Sequence, residues 1–203
     1  VEDPDLAFLP AGSGDLVAYL ADMRWAQAYA LAQRAAMLDR MLDALRGAVR
    51  PVPLSVIERV NCHHNYAEEM DFNGVEPRWL VRKGAVDASA GVLAVVPGSM
   101  GTDTYVVRGL GHASAYRSAP HGAGRVLARG AARRTLSVDD LRAQMADRVW
   151  NDRDADNLLD EAPSAYKPIE TVLRDAAELV EPVHRLRAFV NFKAADAPRG
   201  RRR

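Results

Sequence analysis

Apolar residues recur at mostly helical spacing near the start of the chain: Leu16, Leu20, Met23, Ala30, Leu31, Leu38, Met41, Leu42 and Leu45. Three- and four-residue intervals put such positions on one face of an α-helix. Ser13 or Asp15 is placed to cap its start and Gly47 to stop it. The pattern predicts one long amphipathic helix that packs this face into a core. Pro51 and Pro53 break the chain, and the period then changes. "LSVIERVNC", "RWLVR", "VLAVVP" and "TYVVRGL" are short β-branched or aromatic runs punctuated by Gly84, Gly91, Gly98, Gly101, Gly109 and Gly111. They predict short strands joined by tight turns.

Residues 112–135 carry little periodicity and predict a long loop that opens a helix. "SVDDLRAQMADRVW" predicts a helix with Ser137 as its N-cap. "NDRDADNLLDEAPSAYK" is polar and loop-like. Pro168 is placed for the first turn of a helix through Val180, ended by Pro182. "FVNFK" predicts a last strand, and "APRGRRR" a disordered basic end. Helices and strands mix without a regular βαβ alternation, so the expected class is α+β. Residues 1–193 are expected to belong to a single domain, with 194–203 as the tail.

Composition narrows the function classes. With 48% apolar and 27% charged residues, the 203-residue chain has a globular composition. Its formal net charge is zero. A nucleotide or RNA site therefore has to be a local basic patch rather than a global field. Arg82, Lys83, Arg108, Arg117, Arg125, Arg129 and Lys193 supply such charges, or simply a solvated surface. The single cysteine, Cys62, excludes an internal disulfide and fits a reducing, cytoplasmic setting. No apolar stretch approaches the roughly 20 residues that span a bilayer. The acidic, proline-broken start is no signal peptide, and without an initiator methionine it points to a fragment or a processed chain.

Three stretches could carry chemistry. "NCHHNYAEE" groups Cys62, His63 and His64 with Glu68 and Glu69, but no second ligand pair stands at zinc-finger spacing. The plainer reading is two hydrogen-bonded structural histidines. "VVPGSMGTDTY" runs a strand into a glycine turn whose N–H groups could cradle a triphosphate. It lacks the Gly-Lys-[Ser/Thr] ending of a P-loop and is also compatible with a plain β-turn. In "RSAPHGAGRVLARG", His121 precedes Gly122, Ala123, Gly124 and Arg125. An imidazole there is a spectator, a metal ligand or a nucleophile. Mostly neutral at neutral pH, with an ordinary pKa of about 6.5, it can attack phosphorus. N–H groups from Gly122 to Gly124 would then stabilise phosphate charge.

Together with "DMRWAQAYALAQR", "RKGAV", "VPGSMGTDTYVVRGLG", "DEAPSAYK" and "VNFK", these stretches resemble the carboxy-terminal part of the RtcB family of RNA ligases, in family order from about residue 5 to 193. The resemblance implies an RtcB-like fold and an enzyme that joins RNA 3′-phosphate or 2′,3′-cyclic phosphate ends to 5′-hydroxyl ends, in tRNA splicing or RNA repair. It implies GTP and manganese (Mn2+). His121 takes the position of the family's guanylylated histidine. His64 takes that of a manganese ligand. GTP contacts fall on His64, Asn65, Pro97, Gly98, Ser99, Met100, Thr104, His121, Gly122, Ala123, Gly124 and Lys193. The family also admits an archease-type protein as an activating partner.

The chain departs from the pattern in places. Pro120 replaces a common serine, and "ARGAA" replaces a Ser-Arg-Thr-Lys-like run. The family's Asp-x-Gly-Cys-Gly and Gly-Asn-His-Phe motifs, and two further histidines, are absent from these 203 residues. The expectation is that the isolated polypeptide lacks efficient ligase activity. The runner-up is a catalytically inert GTP- or RNA-binding module. A metal phosphohydrolase finds little support without a carboxylate-rich cluster.

Overall fold

Residues 14–48 contain glycine only near their two ends and no proline, and good helix formers dominate between. They form α1 (Gly14–Ala48). The Ser13 hydroxyl accepts the Leu16 N–H at 3.1 Å, Asp15 lies in the first turn and Arg46 in the last. These are the favourable ends of the helix dipole. The structure is a computed structural model and describes residues 3, 7–63, 65–72 and 75–193. His64 and the expected tail, 194–203, lie outside the described residues.

The chain divides into two units, Val1–His63 and His64–Arg203. In the first, the predicted stripe is only half covered. Leu16, Leu20, Met23, Ala30, Leu31, Leu38 and Leu42 are half-buried, Met41 and Leu45 are exposed, and no residue of α1 is buried. The helix exists where predicted, but the expected core face does not. One helix and one irregular strip cannot enclose a core by themselves. That strip corrects a second expectation, because residues 54–62 form no strand. Side chains fasten the strip instead. Asn61 donates to the Leu31 carbonyl and accepts from Arg34 Nε, both at 3.0 Å, and Arg59 pairs with Asp39 at 2.8 Å. A β-branched run becomes a strand only where a neighbouring strand takes its backbone groups.

The second unit holds three small antiparallel sheets. β1 (Asn65–Phe72) pairs with β2 (Val75–Lys83), Asn65 opposite Lys83 and Tyr66 opposite Arg82. β3 (Ala85–Asp87) pairs with β6 (Ser118–Pro120), Ala85 opposite Pro120. β4 (Leu93–Pro97) and β7 (Val180–Leu186) flank β5 (Thr104–Gly109). Alternation along these strands buries Ala94, Val96, Tyr105, Val107 and Val180. A further core gathers Met100, Leu141, Met145, Ala155, Leu158 and Ala162.

Five more expectations shift. The 112–135 stretch contains β6 and α2 (Arg129–Thr135). α3 (Val138–Gln144) starts as predicted, with Ser137 and Asp140 in a reciprocal capping box, but stops well before Trp150. α4 (Ile169–Asp175) follows Pro168 and is short. Val180 already opens β7, and Pro182 lies inside it. An outer strand tolerates a residue without an N–H, so this proline did not end an element. Residues 152–161 are a 3₁₀ run that buries Ala155 and Leu158 rather than a loop. "FVNFK" contributes only a bridge, Val190 beside Val149. Antiparallel sheets with interspersed helices make the unit α+β. Among the described residues no helix is long and apolar enough to cross a membrane.

Candidate functional site

The glycine turn after β6 is held from three sides. Ala85 pairs with Pro120, so Gly84 stands beside His121, and the His121 N–H donates to the Gly84 carbonyl at 3.3 Å. Gly84 in turn donates its N–H to Asn65 Oδ1 at 3.0 Å. It sits at φ +73, and a Cβ there would stand 3.5 Å from His121 Nε2. Glycine permits this backbone and puts no side chain against the edge of the imidazole. On the second side, Ala123 donates to the Pro97 carbonyl at 2.9 Å. That carbonyl would lie 3.0 Å from a Cβ at Gly122. On the third side, Lys167 donates to the Gly124 carbonyl at 3.0 Å, and Val126 and Leu127 donate to the Ala165 carbonyl.

This geometry sorts the N–H groups of the turn. Ala123 spends its donor on Pro97, whereas Gly122 and Gly124 have no hydrogen-bond acceptor among the described residues. Two N–H groups of this backbone, rather than three consecutive ones, are therefore left without an acceptor among the described residues. Pro120, the departure noted in the sequence, ends β6 and is accommodated opposite Ala85.

The 97–104 turn meets the His121 turn through Pro97. It is tied internally. Gly98 donates to the Asp103 carbonyl at 3.0 Å. Ser99 donates its N–H to Thr102 Oγ1 at 2.5 Å, and the two hydroxyls stand 3.0 Å apart. A Cβ at Gly98 would fall onto Thr102 Oγ1 and the Asp103 carbonyl. Met100 is 5% exposed, and its side chain belongs to the core beside Leu141 and Met145. Only its backbone can face a ligand. Thr104 opens β5 opposite Pro97. Thr102, which shapes the turn, was not singled out in the sequence, although a threonine three residues after Ser99 is a recognisable turn signal.

Lys193 arrives through a charged network. Its Nζ donates to Glu161 Oε2, which also accepts the Tyr166 hydroxyl at 2.5 Å. Arg125, next to the turn, donates to Tyr166 Oη at 2.9 Å and lies over its ring at 4.8 Å. Burial opposes ionisation of Glu161, but the hydrogen bonds from Lys193 and Tyr166 and the charges of Lys193 and Arg125 outweigh it and hold the carboxyl below its ordinary range. Burial first, and the Glu161 carboxylate second, push the Tyr166 hydroxyl up to about 12. Arg129 and Arg133 pair with Asp160 nearby. "DEAPSAYK" is thus the segment that links Lys193 to the His121 turn, a role that its polar composition concealed.

Arg82 is not the surface charge its composition class suggests. It is 2% exposed and bonds Tyr66, Glu68, Ser118 and the carbonyls of Tyr116 and Arg117. Burial pushes the Tyr66 hydroxyl up to about 12, against the pull of the Arg82 charge. A hollow of about 510 Å³ beside it is lined by Glu68, Glu69, Asp71 and Asp87 among others, a sign of charge that repels phosphate. Among the described residues no three His, Cys, Asp or Glu side chains gather so as to hold a metal. His63 and Cys62 are half-buried in the first unit.

A family model described as tRNA-splicing ligase RtcB matches residues 1–194. The chain is 39% identical over 193 residues to the RNA-splicing ligase RtcB of Escherichia coli K12, covering 93% of this chain and 47% of that protein. It is 32% identical over 191 residues to the RNA-splicing ligase RtcB of Mycobacterium tuberculosis, covering 85% and 44%. It is 30% identical over 198 residues to the tRNA-splicing ligase RtcB of Pyrococcus abyssi, covering 87% and 22%. The chain spans about half the length, or less, of the curated relatives it matches. The family model covers nearly all of the chain, and the stretches that build the His121 turn and its supports lie inside the matched residues, so this chain belongs to the RtcB family.

Proposed function

We propose that this chain carries the guanylyl-transfer portion of an RNA ligase that joins RNA 3′-phosphate or 2′,3′-cyclic phosphate ends to 5′-hydroxyl ends. The observation that carries the reading is His121 at the head of a braced glycine turn, with its Nε2 edge over Gly84 and the Gly122 and Gly124 donors uncommitted.

GTP is consumed and is therefore a substrate. An imidazole nitrogen of His121 attacks its α-phosphorus. The bond to the bridging oxygen breaks, pyrophosphate leaves, and GMP stays on the histidine through a P–N bond. Donors at Gly122 and Gly124 stabilise charge on the phosphate oxygens. An oxygen of the RNA 3′-phosphate next displaces the imidazole from phosphorus and takes GMP. The RNA 5′-hydroxyl then attacks the 3′-phosphate, gives up its proton to solvent, and GMP departs. A 2′,3′-cyclic end has first to be opened by water to a 3′-phosphate. Ser99, Thr104 and Lys193 are assigned to the nucleotide, Lys193 poised by Glu161. The engaged Asn65 amide and the buried Met100 side chain shape the site around it.

Manganese enters this reading through the resemblance alone. The described residues do not form a metal centre, and no step above runs through one. Bound manganese supplies neutralisation of phosphate charge. His64 would contribute one ligand, with further donors from outside the described residues.

The test is to incubate the protein with labelled GTP and manganese, digest it and map the label. The expected result is an acid-labile, hydroxide-stable GMP adduct on His121 alone. Label on another residue, or none on the complete gene product, overturns the assignment.

Gly84 gives a sharper geometric version. Gly84→Ala fills the space beside Nε2 and forces a side chain into φ +73. Adduct formation is expected to slow roughly 10²-fold, the scale of a misplaced reacting group. Rapid-quench kinetics check it, and a rate within twofold or so of wild type would place the attacking nitrogen elsewhere.

A further inference from the structure

Tyr116 and Arg117 both sit at φ 50, two consecutive left-handed residues that carry side chains. Such backbone is disfavoured for L-residues and persists where the surroundings over-determine it. Here the Tyr116 and Arg117 N–H groups donate to the Ala113 and His112 carbonyls at 2.9 and 3.0 Å, and one buried guanidinium gathers the carbonyls that point the other way. Arg82 donates from its Nη2 to the Tyr116 and Arg117 carbonyls at 3.2 and 3.4 Å, and from Nε to Ser118 Oγ at 2.8 Å. Its Nη1 is anchored on Tyr66 Oη at 2.6 Å and on Glu68, with Asp87 3.9 Å from Nη2. The Arg117 carbonyl is also held by the Ala88 N–H at 2.7 Å.

The place of this turn gives it meaning. It is followed at once by Ser118–Ala119–Pro120, which is β6, and then by His121. Two residues after Arg82, Gly84 receives the His121 N–H. The side chain of residue 82 therefore fixes the entry to the 118–121 segment, and the backbone of residue 84 fixes its exit. The planar fork of arginine spans three acceptors on successive residues, which the single nitrogen of lysine cannot do.

We propose that Arg82 is a positioning residue for His121: by clamping the left-handed Tyr116–Arg117 turn it sets where the imidazole is presented. The proposal rests on the reading of His121 as the nucleophile. Arg82 itself is sealed from solvent and touches no substrate, so it acts through the turn.

The test uses Arg82→Lys in the protein, with three measurements. Amide hydrogen exchange of residues 118–123 reports the segment without any chemistry. Adduct formation with GTP and manganese reports presentation, split into kcat and KM. A triple variant, Arg82→Lys with Tyr116→Gly and Arg117→Gly, relieves the left-handed strain and so removes the need for the clamp. The expected result is faster exchange at 118–123, a kcat of guanylylation lowered roughly 10²-fold with KM for GTP nearly unchanged, and recovery of about tenfold or more in the triple variant.

Unchanged exchange, or no recovery with the glycines, overturns the proposal. Recovery by glycines at 116 and 117 is not expected of a residue that merely stabilises the sheet. Should wild-type protein form no adduct, the nucleophile reading fails, and the exchange data still judge the clamp. Should Arg82→Lys fail to fold, Ser118→Ala deletes only the Nε acceptor and its own bond to the Tyr116 carbonyl. It is expected to quicken exchange and slow guanylylation about tenfold, with Tm lowered by no more than about 4 °C. Wild-type behaviour of that variant also overturns the clamp.

Discussion

His121→Ala is expected to abolish transfer of GMP onto the protein, a loss of at least about 10⁴-fold, while leaving the fold and nucleotide binding nearly intact. The size follows from the role, because removing a covalent nucleophile eliminates the pathway rather than weakening one contact. The separability follows from the geometry. The bond that holds position 121 in place runs from its backbone N–H to the Gly84 carbonyl, and alanine keeps it. Ala123 remains on Pro97, and the Gly122 and Gly124 donors do not depend on the imidazole. Among the described residues of the second unit, the other histidines stand elsewhere. His184 lies in β7 opposite Val106, and His112 stands 3.9 Å from Glu178. Intact-mass measurement after incubation with GTP and manganese should show no added guanylate. Nucleotide titration by calorimetry should show affinity within a few-fold of wild type, and Tm should move by less than about 4 °C. An adduct that survives the substitution would transfer the chemistry to another side chain and, with it, the assignment of the site.

What the sequence disclosed and what it hid divide along a physical line. Signals that act within one turn were legible. Ser13 before α1 and Ser137 before α3 cap as their side chains allow, three residues ahead. The two glycine turns were legible as turns. Their meeting was not, because it is made by the Pro97 carbonyl and the Ala123 N–H, which no local pattern connects. Arg82 looked like surface charge because its identity as a buried clamp is conferred by residues 116–118. The same blindness worked in reverse at residues 54–62, where β-branched composition promised a strand and no partner strand arrived. Pro182 was misjudged for a related reason. Whether a proline ends an element depends on whether its missing donor faces a neighbour, and in β7 the sheet has its neighbour on one side only. Lys193 was placed by resemblance. The carboxylate that holds it, Glu161, sits in a segment whose polarity suggested solvent and whose 3₁₀ backbone buries it.

Gly109→Ala has the largest expected effect on stability. Gly109 closes β5, the middle strand of its sheet, and is buried. A Cβ there would land on the backbone of Ala88 and on the Ser89 carbonyl, and backbone cannot rotate away as a flexible side chain can. Its own N–H and carbonyl are already committed, to the Val92 carbonyl at 2.8 Å and the Gly91 N–H at 2.9 Å. The strand therefore cannot retreat without breaking bonds on its far side. Overpacking against fixed backbone costs about 3 kcal/mol or more, which for a chain of this size lowers Tm by roughly 6–12 °C. Gly91→Ala is the control. Its Cβ meets nothing within 4 Å, and only φ +83 opposes it, so about 1–2 kcal/mol is expected. Thermal and urea unfolding of the two variants should separate them clearly, and equal midpoints would contradict the packing at Gly109. The damage should also travel. Ala88 donates to the Arg117 carbonyl at 2.7 Å, so pushing the 88–89 backbone aside loosens the same left-handed turn that Arg82 clamps. Well below its lowered Tm, Gly109→Ala is therefore expected to guanylylate His121 more slowly than Gly91→Ala does, which ties the packing of the central sheet to the presentation of the histidine.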